Sequence, residues 1–80
     1  MKTPRDVDGK TLIKKLEIYG YKVSRQVGSH VRLTTTIKGV HHITIPNHSP
    51  LKIGTLSSIL NEVAMHHEST KADVIKHLFS

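Results

Sequence analysis

Between Tyr21 and Ile45 the chain alternates apolar and polar residues with a period of two, and turn-forming residues interrupt it twice, at Gly28 and at Lys38-Gly39. Successive side chains of an extended backbone point to opposite faces. This stretch therefore predicts three short strands joined by tight turns, an antiparallel meander. The first strand sets Tyr21, Val23 and Arg25 against Lys22, Ser24 and Gln26. The second, His30 to about Thr36, sets Val31 and Leu33 against His30, Arg32 and Thr34. The third, His41 to Ile45, turns Ile43 and Ile45 one way and His42 and Thr44 the other. Pro46 has no N–H to give a ladder and stops it.

A meander with one apolar face needs a cover for that face, and the flanking sequence supplies it. Ahead of the strands, Asp8 is placed to cap a helix carrying Leu12, Ile13, Leu16 and Tyr19, and Gly20 sits where a left-handed residue ends it. Behind them a polar loop, Asn47-His48-Ser49-Pro50, leads to a helix starting near Ile53 to Thr55 with Leu56, Ile59, Leu60 and Val63 on one stripe. A short third helix is expected from Thr70, capped by a Thr70-x-x-Asp73 box, with Val74, Ile75 and Leu78 apolar. The expected class is α+β: α-β-β-β-α, a three-stranded antiparallel sheet with both main helices on one face, and an extra C-terminal helix. One domain is expected over residues 1–80, its core at about 8–64 and a helical extension at about 69–79. No repeat or low-complexity segment divides it.

The face left uncovered then carries Lys22, Ser24, Gln26, His30, Arg32, Thr34, His42 and Thr44. It is hydrophilic, and the charge distribution makes it basic: residues 1–40 hold nine basic and three acidic side chains, whereas residues 41–80 hold three of each. The whole net charge of +6 lies in the first half. Such a patch attracts phosphate backbones or an acidic protein, although solvated lysine is the plainer account of charge alone. Only 36% of residues are hydrophobic, so the core is lean and a stabilising partner is a natural expectation.

Several classes are excluded. Zero cysteines leave no disulfide framework, zinc ribbon or thiol nucleophile. The longest apolar run is Val63-Ala64-Met65, too short to cross a bilayer. Met1-Lys2-Thr3-Pro4-Arg5 carries charge with no apolar run behind it, so no signal peptide is expected and the chain reads as cytoplasmic. No Gly-rich phosphate loop, zinc-protease motif or calcium loop occurs, and the six carboxylates form no acid/base pair.

Histidine is the enriched chemical residue, at seven positions. His41 and His42 are consecutive on a strand and point to opposite faces, so they cannot chelate together. His66 and His67 fall at the end of the second helix, where a cation suits the macrodipole. Neither a metal ion nor another cofactor is expected. His30 stands apart because Gly28-Ser29-His30 presents its imidazole at the rim of an exposed strand. Imidazole can take a proton from a ribose 2′-hydroxyl or give one to a leaving 5′-oxygen. Arg25, Arg32 and Lys22 are the cations placed to hold a scissile phosphate. A solvent-facing histidine after a hairpin glycine is the plainer account of that spacing. Lys52, opening the second helix with Ile53-Gly54-Thr55-Leu56, is a further candidate anion contact, against a plain helix start capped by Ser49 or Thr55. His48 is a second candidate phosphate contact beside the sheet edge, against an ordinary solvated loop residue.

Taken in order, Tyr19-Gly20-Tyr21 after a lysine-rich helix, Gly28-Ser29-His30, Ile43-Thr44-Ile45-Pro46-Asn47-His48 and Leu51-Lys52-Ile53-Gly54-Thr55-Leu56-Ser57-Ser58-Ile59-Leu60 resemble the HicA toxins of bacterial and archaeal toxin–antitoxin systems. The resemblance covers roughly residues 8–64. It implies a double-stranded-RNA-binding-domain-like fold and a ribosome-independent mRNA interferase with mRNA as substrate. The Gly-Ser-His histidine, here His30, would be catalytic, with Gly28 shaping the turn and Ser29 beside it among the phosphate contacts. It implies a HicB-type antitoxin as partner that covers the active site, and contact with operon DNA only through that antitoxin. The segment after Ala64 and the doubled His41-His42 match no part of the pattern, and no general acid is assigned. Two other classes remain open from the residues: a non-catalytic RNA-binding module of the double-stranded-RNA-binding type, and a protein-interaction domain whose basic face fits an acidic partner.

Overall fold

The computed structural model describes residues 3–79; Met1, Lys2 and Ser80 lie outside the described residues, and with them the start of the segment read for a signal peptide. Helix α1, Gly9–Lys15, runs into a 3₁₀ turn, Leu16–Tyr19, and is followed by β1 (Lys22–Val27), β2 (His30–Thr35), β3 (His41–Pro46), α2 (Ile53–His66) and α3 (Lys71–Phe79). The strands form one antiparallel sheet in the order β1-β2-β3. This is the α-β-β-β-α order with a C-terminal helix that the two periodicities predict.

The core is where the apolar stripes meet. Val31 and Leu33 of β2 and Ile43 and Ile45 of β3 are buried against Leu12 and Leu16 of the first helical segment and Leu56, Ile59, Leu60 and Val63 of α2. Val74, Ile75 and Leu78 of α3 join the same cluster. Thr70 Oγ1 accepts the Asp73 N–H at 3.1 Å, the capping bond its position predicts. Asp8 stands at the first helix's N-cap, but its carboxylate caps nothing: it accepts from Ser49 Oγ at 2.7 Å, tying the loop after β3 to the start of α1. With Ser49 so engaged, α2 begins at Ile53 with Lys52 at its N-cap and no side-chain cap from Ser49 or Thr55.

Gly9 explains how closely those segments approach. A Cβ there would lie 2.3 Å from the Pro46 carbonyl oxygen and 3.0 Å from Asn47 Cα. The Gly9 N–H donates to the His48 carbonyl at 3.0 Å across that contact.

β1 departs from the expected alternation. Lys22 faces Thr34 and Val23 faces Leu33, but the next pairs are Arg25 with Arg32, Gln26 with Val31 and Val27 with His30. Ser24 is an extra residue, a β-bulge, and every residue after a bulge changes face. Gln26, expected on the open face, stands instead on the side of buried Val31, and Arg25 takes the open face. β1 and β3 are the two edges of the sheet, and α1 and α2 pack against β3, so Val23 stays 54% exposed although its partner Leu33 is fully buried.

Candidate active site

The β1–β2 hairpin closes on Gly28-Ser29, with Gly28 at φ +57°, a conformation that favours residues lacking a Cβ. Its end is fixed from a second side. Pro46 is the register partner of His30, and the Asn47 N–H donates to the Ser29 carbonyl at 2.6 Å. The hairpin, the exit of β3 and the N-terminus of α1 are thus gathered at one end of the sheet.

On the open face of that end, Arg25, Val27, His30, Arg32 and Thr44 line a shallow depression of about 230 Å³. Register explains the grouping: Val27 pairs with His30, Arg25 with Arg32 and Arg32 with Thr44, and paired residues share a face. His30 is exposed. Among the described residues the one ion pair, Lys38 with Glu68 at 3.2 Å, lies at the opposite end of the sheet, so neither guanidinium is neutralised by a carboxylate.

The bulge that brings Arg25 here is held by a chain of hydroxyls. Ser24 Oγ donates to the Arg32 carbonyl at 3.3 Å, and Thr34 Oγ1 donates to Ser24 Oγ at 2.8 Å. With its proton so used, Thr34 accepts from His42 Nδ1 at 2.7 Å. His42 therefore braces the sheet.

The structure brings Arg25, Arg32 and His30 together and does not bring Lys22 to them. Lys22 pairs with Thr34, four residues along β2 from His30, roughly 13 Å at strand rise. Ser29 is in the hairpin turn, and His48 is exposed in the loop bonded to it, two residues past Pro46. Lys52 is exposed at the start of α2. Among the described residues none of these three lines the depression.

A second cluster has no counterpart in the local spacing. His67 is only 8% exposed, and its Nε2 is hydrogen-bonded to Tyr21 Oη at 3.2 Å. Tyr21 Oη is also hydrogen-bonded to His41 Nδ1 at 2.8 Å, so its one proton goes to one imidazole and the other imidazole donates to it. The His41 ring stacks on His66 at 4.4 Å between centroids, and His66 Nε2 donates to the carbonyls of Ile37 and Gly39 at 2.9 and 3.1 Å. Burial, and then the proximity of His66, push both His41 and His67 below the ordinary histidine value. Burial, with the charge of Glu62 second, pushes the Tyr21 hydroxyl up to about 12. His67 is thus disfavoured as the cation its place at a helix end predicts, because desolvation outweighs the macrodipole there. Tyr21 is 20 positions from His41 and 46 from His67, too far for any sequence pattern to join them. Among the described residues no group of three or more His, Cys, Asp or Glu is arranged to hold a metal ion.

A three-stranded antiparallel sheet with helices on one face and an open basic face opposite defines a small α+β protein of the double-stranded-RNA-binding-domain type. The family model of the HicA toxin of bacterial toxin–antitoxin systems matches residues 9–65, from α1 through nearly all of α2. The chain belongs to the HicA toxin family. No curated protein and no solved structure gave a significant match.

Proposed function

We propose that this chain is an endoribonuclease toxin that cleaves mRNA independently of the ribosome through His30, and that a HicB-type antitoxin neutralises it. One HicA-like unit carries this activity, with α3 as an extension, and it acts in the cytoplasm. The observation that carries the proposal is the open imidazole of His30 beside two guanidinium groups that no carboxylate among the described residues pairs.

The chemistry follows from that set. His30 accepts the proton of a ribose 2′-hydroxyl, and the 2′-oxygen bonds to phosphorus. The bond from phosphorus to the 5′-oxygen breaks, and that oxygen is protonated from water in the open depression. The products are a 2′,3′-cyclic phosphate and a 5′-hydroxyl. Arg25 and Arg32 bind the phosphate and offset the charge that develops on it, so positive charge is supplied without a metal. Ser29, His48 and Lys52 extend the phosphate contacts along the strand outside the depression, and Lys22 engages it further off. The antitoxin covers this face, and DNA is contacted only through the antitoxin.

The test is purified His30→Ala on RNA. Cleavage and growth arrest should vanish while the fold is retained; cutting at the parent's rate refutes the assignment. Fragments ending in 5′-phosphate, or a rate abolished by EDTA, would point instead to a metal-activated water.

A further inference from the structure

On the helix layer, away from the open face, a groove of about 500 Å³ runs between α1 and α3. Its lining sets two aliphatic side chains, Ile18, 62% exposed, and Leu78, beside Lys10, Lys14 and Lys15. Lys10 and Lys14 are one turn apart on α1, and Lys15 Nζ lies 5.5 Å from the centre of the Phe79 ring. His77, also in the lining, is held by Tyr19 Oη at 3.0 Å on its Nδ1. Among the described residues no carboxylate lines the groove. Its α3 wall lies beyond the span matched to the HicA family.

We infer that this groove docks an acidic segment of the partner antitoxin, with one aliphatic or aromatic anchor seated on Ile18 and Leu78 between carboxylates that meet the three lysines. The inference rests on the proposed antitoxin partnership and adds a second contact to the coverage of the His30 face. Charge complementarity selects the occupant. A second copy of this chain brings a net charge of +6 against these lysines. Single-stranded nucleic acid prefers aromatic faces on which bases stack, whereas Ile18 and Leu78 are aliphatic and the one ring in the lining, His77, is engaged by Tyr19. An acidic segment with an apolar anchor satisfies both the aliphatic pair and the lysines. One partner can hold both sides by passing around an edge of the sheet, because the shortest extent of the molecule is 18 Å, at least about six extended residues. Two linked contacts raise avidity beyond either one alone.

The test is titration of the cognate antitoxin into the full chain, into a Lys10→Glu/Lys14→Glu double variant and into Ile18→Asp, at two salt concentrations. These side chains are exposed, so the variants keep the fold, and circular dichroism verifies it. Affinity should fall at least tenfold in each variant, with a shallower salt dependence in the double variant, while RNA cleavage by the free variants is unchanged. Equal affinity for all three proteins overturns the inference, as does a loss of RNA cleavage with antitoxin binding intact, which would make the groove an RNA surface. Absence of any complex with the unaltered chain overturns the antitoxin partnership itself.

Discussion

Arg25 and Arg32 stand directly opposite each other on β1 and β2, on the face that displays His30. An unbulged β1 would pair Arg25 with buried Val31 and turn it toward the helices. The extra residue at Ser24 reverses that, at the cost of setting two like charges cross-strand with no carboxylate among the described residues to separate them. An arrangement that disfavours the free fold and fits a phosphate is one that binding relieves.

Stability and activity should therefore move in opposite directions at this pair. Arg25→Ala is expected to raise stability by roughly 0.2–1 kcal/mol through lost repulsion. The same change should lower kcat/KM on RNA by about 100-fold through lost charge stabilisation. Denaturant unfolding and a cleavage assay on one preparation check both. A variant that loses stability and keeps its activity would show that the guanidiniums serve the sheet.

Two glycines should fail for different reasons. Gly9→Ala places a methyl against the Pro46 carbonyl and Asn47, backbone that cannot rotate away, and should cost about 1–3 kcal/mol despite alanine's better helix propensity. Gly28→Ala meets open space, and its cost of about 1–2 kcal/mol comes from the positive φ alone. Asparagine tolerates that φ, so Gly28→Asn should recover much of the loss and Gly9→Asn none. Unfolding midpoints of the four variants separate the two mechanisms.

The Tyr21 cluster sets the pH range of the fold. His41 and His67 lie below their ordinary value of 6.5 when folded, so the unfolded chain binds protons first on acidification. Stability is complete above about 6.5 and falls as pH drops toward the folded values. Tyr21 titrates at about 12 when folded against 10.0 ordinarily, so stability also falls as pH rises from 10 through 12. Tyr21→Phe should reduce the alkaline decline to the part left by Tyr19, which burial and then Asp73 also raise, and cost about 1–3 kcal/mol near neutrality, because two imidazoles lose their shared hydroxyl. RNA cleavage should be unaffected. Thermal melts across pH 5–12 test each limb, and an alkaline decline undiminished in Tyr21→Phe would assign it to Tyr19 or another group.

Much of the architecture was legible because it is written at short range. Leu12 and Leu16, Val31 and Leu33, Ile43 and Ile45, and Leu56 through Val63 are buried as their spacing predicts. The same alternation puts His30 on the open face, since it flanks Val31, which is buried. Asp8 was legible in place but not in role, because its carboxylate is drawn to Ser49, which is 41 residues away.

What the amino-acid order determined by itself was the succession of elements, the apolar face of the sheet and the exposure of His30, since periods of 2.0 and 3.6 residues are local properties. Tertiary structure decided that Arg25 joins His30, that Lys22 does not, that His67 is buried among tyrosines, and that α1 and α3 enclose a lysine-lined groove. Those outcomes depend on where a ladder admits an extra residue and on which distant side chains desolvate one another, and neither has a signature in sequence spacing.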